Sequence, residues 1–148
     1  MSVYQNTRRL IFLADDDEDD RILFLEAVQD LNNDLIIQTA SDGQELLDVL
    51  SQSNSLPELL FLDINMPCKN GFDCLKEIRS AAGELSKVKI IMFSTSSSSL
   101  HIMLSHKLGA DLYAVKPGTF RGLKQLLAKV LEYDWNAGPR DLKTFLLP

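Results

Sequence analysis

The chain has 148 residues, 45% hydrophobic and 24% charged, a mix that suits one folded domain and excludes a disordered chain. Its 15 lysines and arginines face 21 aspartates and glutamates, so the net charge is −6 and partners held by bulk positive charge, nucleic acid or an anionic membrane, are not expected. Cys68 and Cys74, with His101 and His106 on another segment, make neither a disulfide framework nor a zinc site, so free thiols and a cytoplasmic setting are expected.

Residues 1–9 read as an N-terminal arm. Arg8 and Arg9 precede an apolar run, but it ends at Ala14 in a wall of acids, too short for an export signal. Leu10–Ala14 instead reads as a strand buried on both faces. Glu18–Leu31 has helical apolar spacing with acids in its first turn. Leu35–Ala40 is a predicted strand, Gln44–Leu50 a helix, and Leu59–Leu62 a short apolar strand ending at Asp63. Phe72–Ala82 is a predicted helix stopped by Gly83, and Val88–Phe93 is a β-branched strand leading into a serine-rich tract. Leu100–Leu108 reads as a helix closed by Gly109, Leu112–Val115 as a strand, and Phe120–Tyr133 as a helix. Strict alternation of short strands and helices predicts an α/β three-layer sandwich, a five-stranded parallel sheet with helices on both faces, over residues 10–133. A tail, residues 134–148, follows. Trp135 and Phe145–Leu147 leave two readings open, packing back on the domain or forming an association surface such as a homodimer contact.

In open parallel sheets, sites form beyond the carboxyl ends of the strands. That edge would collect Asp15 and Asp16, Asp63, Ser94 and Lys116. Clustered carboxylates repel unless a cation joins them, and hard oxygen donors suit Mg²⁺. An aspartate can also attack a phosphoryl group, with a fixed cation such as Lys116 taking up charge and Ser94 donating a hydrogen bond. Asp17–Asp20 read as a solvated helix start, although Asp16–Asp17 is an alternative register for the metal pair.

Five segments make the pattern specific: Ile11–Asp17, Leu62–Pro67, Asn70–Gly71, Ile91–Ser96 and Tyr113–Pro117. In this order the chain resembles the receiver domain of two-component response regulators over roughly Leu10 to Tyr133. The resemblance implies a flavodoxin-like sheet of order 2-1-3-4-5. It makes Asp63 the phosphoacceptor, Asp16 a direct Mg²⁺ ligand, Asp15 the acid that holds the metal through water, and Asn65 the donor of a backbone carbonyl. Lys116 pairs with the phosphoryl group, its bond to Pro117 is cis, and Ser94 and Tyr113 form the switch pair. On switching, the face of the fourth helix, fifth strand and fifth helix changes shape. The implied partners are a sensor histidine kinase and a downstream protein. With no attached output domain in view, the layout resembles stand-alone regulators of phytochrome-type kinases.

The expected function is therefore phosphoryl acceptance and signalling by contact, or relay of the phosphoryl group onward, rather than enzymatic turnover. Two other classes compete. A haloacid-dehalogenase-type phosphatase also uses an aspartyl nucleophile, but expects an acid where Asn65 stands. A docking module that is never phosphorylated would not need the full set of acids with Lys116.

Overall fold

A computed structural model of the chain describes residues 9–32, 34–136 and 142–147. The expected N-terminal arm lies, but for Arg9, outside the described residues. The elements run β1 (Leu10–Ala14), α1 (Glu18–Leu31), β2 (Ile36–Ala40), α2 (Gly43–Gln52), β3 (Leu59–Leu62), α3 (Gly71–Ser80), a 3-10 turn (Gly83–Lys87), β4 (Lys89–Ser94), α4 (Ser99–Lys107), β5 (Leu112–Val115), α5 (Phe120–Leu131) and α6 (Leu142–Phe145). All strand pairs are parallel, in the order β2-β1-β3-β4-β5 that the resemblance implied.

The side-chain period of two splits each strand between two cores. Phe12, Ala14, Leu60, Leu62, Ile90, Met92 and Tyr113 face α2, α3 and α4. Ile11, Leu13, Leu59, Phe61, Ile91, Phe93, Leu112 and Ala114 face α1 and α5. Burial on both faces is why these strands read as unbroken apolar runs. In the core under α1 and α5, Phe24, Phe61 and Phe93 pack edge to face, with centroids 5.0 to 6.1 Å apart. Such pairs add directional preference to plain burial.

The caps explain the helix limits. Asp17, Asp42, Asn70 and Thr119 each accept a hydrogen bond from a first-turn N–H, opening α1, α2, α3 and α5. Gly109, at φ +100°, ends α4 in the left-handed conformation that glycine adopts without strain. Two helices are shorter than their periodicity predicts. α3 stops at Ser80, not Ala82, because Ala81 is extended and a separate 3-10 turn begins at Gly83, φ +75°. Arg79 then leaves the last turn to donate to the carbonyls of Ser86, Val88 and Gly109 and to Asp111. α5 stops at Leu131, not Tyr133, whose ring packs 4.9 Å from Trp135 instead.

The tail packs back on the domain. Phe145 is fully buried, its ring 5.0 Å from His106 and 6.4 Å from Tyr113. Leu146 forms a parallel bridge with Tyr113, and the Leu147 N–H donates to the Tyr113 carbonyl at 2.8 Å. The segment thus continues the sheet for one bridge beyond β5. Phe145→Ala is expected to undock this segment without unfolding the sheet, because burying such a ring contributes about 1.5–3 kcal/mol. Hydrogen exchange should then show the Leu147 amide losing protection by tenfold or more, while amides of β1 and β3 keep theirs.

Candidate functional site

The sheet ladder itself delivers the site residues. Asp15 N–H donates to Ala40 O, Asp63 N–H to Ala14 O and Lys116 N–H to Ser94 O, at 3.0, 3.0 and 2.8 Å. Each residue therefore sits one step past its strand, with its backbone polar groups still paired. Three loops that are distant in sequence meet at one edge.

Carboxylate oxygens of Asp15, Asp16 and Asp63 lie within 4.8 Å of one another. Asp15 and Asp63 are buried and Asp16 is exposed. Three hard oxygen donors, one open to solvent, fit a divalent cation that keeps part of its water shell. Asp17 lies outside this cluster and caps α1, its carboxylate accepting from Asp20 N–H. Asn65 lies two residues past Asp63 in the same loop, with an exposed side chain.

Lys116 Nζ donates to Asp15 Oδ2 at 2.7 Å, Asp20 Oδ2 at 3.0 Å and Asp63 Oδ2 at 3.1 Å. Its side chain is only 10% exposed. Burial works against its charge, but the bonds to Asp15 and Asp20 and the field of Asp63 outweigh that and hold the ammonium above its ordinary value. Burial raises the Asp63 carboxyl above its ordinary value, with Lys116 opposing and Asp15 reinforcing the rise. Asp63 Oδ1 also accepts from Ile64 N–H at 2.8 Å, which orients the carboxylate and leaves Oδ2 toward Lys116.

The loop after β3 is folded tightly against Asp63. Gly71 N–H donates to Ile64 O at 2.7 Å, and a Cβ at Gly71 would stand 2.1 Å from Asp63 O. Cys68 in this loop is exposed at φ +67°. The buried Cys74 thiol is pushed up to about 11 by desolvation, so it stays a neutral core group.

Ser94 is fully buried, and its Oγ accepts from Ser96 N–H at 3.1 Å. Tyr113 is fully buried, with the tail residue Phe145 6.4 Å from its ring. Its hydroxyl donates to Ser96 O at 2.7 Å, and burial raises its pKa. A hydrogen bond of 2.8 Å joins Ser96 Oγ and His101 Nδ1, placing that half-buried histidine beside the same loop. Every described peptide bond is trans, so the cis Lys116–Pro117 bond that the resemblance implied is not found. Trans is favoured by about 0.5–1 kcal/mol before any tertiary contact acts.

Asp20 belongs to this cluster, although in the sequence it reads only as part of a solvated helix start. The missed signal is positional. Asp17 caps α1, so Asp20 stands in the first turn, and helical side chains lean toward the N-terminus, here over the strand ends.

The family model of the response regulator receiver domain matches residues 11–128. The transcriptional regulatory protein CpxR of Escherichia coli K12 is 36% identical over 121 residues, 82% of this chain and 48% of CpxR. The chain thus spans about half the length of that curated relative. A chemotaxis protein CheY homolog of Campylobacter jejuni is 30% identical over 82% of this chain and 91% of its own length. The crystal structure of the phosphorylated cyanobacterial phytochrome response regulator RcpA superposes with a TM-score of 0.80 at 28% identity, covering 91% of this chain and all of RcpA. Among the described residues no helix is long and apolar enough to cross a membrane. The sheet order, the acids gathered at its carboxyl edge and these matches agree: the chain belongs to the response regulator receiver domain family of two-component signalling.

Proposed function

We propose that Asp63 accepts a phosphoryl group from a phosphohistidine of a sensor histidine kinase, and that the phosphorylated form signals by contact with a protein partner. The carrying observation is the placement of Lys116 Nζ 3.1 Å from Asp63 Oδ2, beside the Asp15 and Asp16 carboxylates. An Asp63 carboxylate oxygen attacks phosphorus. The P–N bond breaks, a P–O bond forms, and the histidine nitrogen leaves with the electron pair. Lys116 meets the developing phosphoryl charge from a buried, preorganised position. Asp15, Asp16, Asp63 and the Asn65 carbonyl would hold Mg²⁺, which when bound offsets phosphoryl charge.

We assign residues 10–133 to this unit, working in the cytoplasm, and place the output on the face of α4, β5 and α5. Ser94 sits within reach of Ser96, Ser96 O holds the Tyr113 hydroxyl, and α4 turns Leu100 and Met103 to solvent at 76% and 52% exposure. Displacing that hydroxyl chain is a local event that biases a larger surface. The partner there is a downstream protein, or a second copy of this chain; passage of the phosphoryl group to another histidine protein uses the same acyl phosphate. A phosphatase reading lacks its second acid at Asn65.

Borohydride reduces an aspartyl phosphate to homoserine, so peptide mapping of the phosphorylated protein tests the acceptor. The expected product is homoserine at position 63. Homoserine at position 15, 16 or 20, or none at all, would overturn the assignment.

A further inference from the structure

An ammonium group has three N–H donors and no more. Lys116 already spends them on Asp15, Asp20 and Asp63, at 2.7, 3.0 and 3.1 Å. A phosphoryl oxygen arriving on Asp63 is a new acceptor, and to reach it Lys116 must give one of these up. The three acids are not equal candidates. The Asp15 and Asp63 side chains are 1% and 9% exposed and lie within the acid cluster, so neither can turn out to water when Lys116 lets go. The Asp20 side chain is 39% exposed and returns to water readily when released.

Asp20 is also set apart by where it sits. Its N–H is fixed by the Asp17 carboxylate at 3.0 Å, so the first turn of α1 is anchored while the Asp20 carboxylate reaches out to Lys116. Asp20 borders a cleft of about 110 Å³ with Leu23, Phe93, Lys116, Pro117 and Thr119. That cleft leaves room beside the ammonium for the exchange.

We propose that Asp20 is a positioning residue that holds Lys116 in the unphosphorylated state and competes with the phosphoryl group for its third N–H. Asp20 thereby acts as a brake on phosphoryl acceptance, and phosphorylation releases it from α1's first turn to solvent. This rests on Asp63 being the acceptor.

The test uses the full chain with beryllofluoride, a non-covalent phosphoryl mimic, titrated by calorimetry at saturating Mg²⁺. Asp20→Asn keeps the shape and removes the charge. Asp19→Asn removes an equal charge from the same turn, at a residue exposed to solvent and not bonded to Lys116. Asp20→Asn is expected to bind beryllofluoride about two- to fivefold more tightly than the unmodified chain, the range that a partly exposed ion pair is worth. Asp19→Asn should leave the affinity unchanged, and Asp20→Glu should restore the wild-type value. Thermal melts of the three variants without beryllofluoride check that each is folded. Tightening by Asp19→Asn equal to that of Asp20→Asn would overturn the proposal in favour of a general charge effect. So would unchanged or weaker binding by Asp20→Asn. If the unmodified chain fails to bind beryllofluoride with Mg²⁺, the Asp63 reading fails and the brake falls with it.

Discussion

Lys116→Ala is expected to reduce phosphoryl acceptance by about a hundredfold or more, the usual loss when a preorganised group facing the transition-state charge is removed. The same substitution strands two buried carboxylates, Asp15 and Asp63, which share this one ammonium in the parent chain. Removing one partner of a buried ion pair costs about 3–5 kcal/mol. The sign of the pH dependence follows. Burial already raises Asp63 above its ordinary value of 3.8, and Lys116 is the largest influence opposing that rise. Without Lys116 the folded chain holds its proton to higher pH than the unfolded chain does. A folded state that binds more protons loses stability as pH rises. The variant should therefore be weakest near neutral pH and recover toward the acid range, where Asp63 is protonated in both states. Urea titrations of the variant at about pH 3.5 and pH 7.5 measure this. Equal stability at both values, or normal phosphoryl acceptance, would show that Lys116 does not carry the charge of the site.

Gly71→Ala is the second large effect. The new Cβ would lie 2.1 Å from the Asp63 carbonyl oxygen and 2.9 Å from Ile64 Cα. Both neighbours are backbone, so no side chain can swing away. Overpacking of this kind costs about 1–3 kcal/mol, occasionally more. Relief must come from moving Asp63 itself or from breaking the Gly71 N–H to Ile64 O bond of 2.7 Å. Either route misdirects the phosphoacceptor, and a misplacement near 1 Å can cost a reacting group about a hundredfold. Stability and acceptance should thus fall together. Gly118→Ala is the matched comparison, since a Cβ there meets nothing within 4 Å. Its stability is expected to stay within about 0.5 kcal/mol of the parent chain. Melting curves and phosphorylation by a small donor, run on both variants, separate the two cases.

β1, β3, β4 and β5 were legible because both their faces are buried, and residues such as Leu59–Leu62 leave no polar position to confuse the pattern. The site followed from where they end: Asp63 and Lys116 are one residue past β3 and β5, and parallel pairing brings those ends together. Less legible was whatever depends on a partner distant in sequence. The apolar spacing of Phe120–Tyr133 continues past the helix because Tyr133 is kept inward by Trp135, not by helical geometry. Nothing local shows that Tyr113 is covered by Phe145 and Leu146, more than thirty positions later. Asp20 looks like any acid in a first helical turn. Only the lysine arriving from the end of β5 separates it from Asp19.

The central claim is that Asp63 is a metal-dependent phosphoryl acceptor. Intact-mass analysis after incubation with acetyl phosphate, with Mg²⁺ and with a chelator in its place, tests it most directly, with the wild-type chain and Asp63→Asn run side by side and quenched rapidly. One added phosphoryl group that requires Mg²⁺ and is absent from Asp63→Asn is the expected result. No adduct on the wild-type chain, or an adduct that survives in Asp63→Asn, would contradict it.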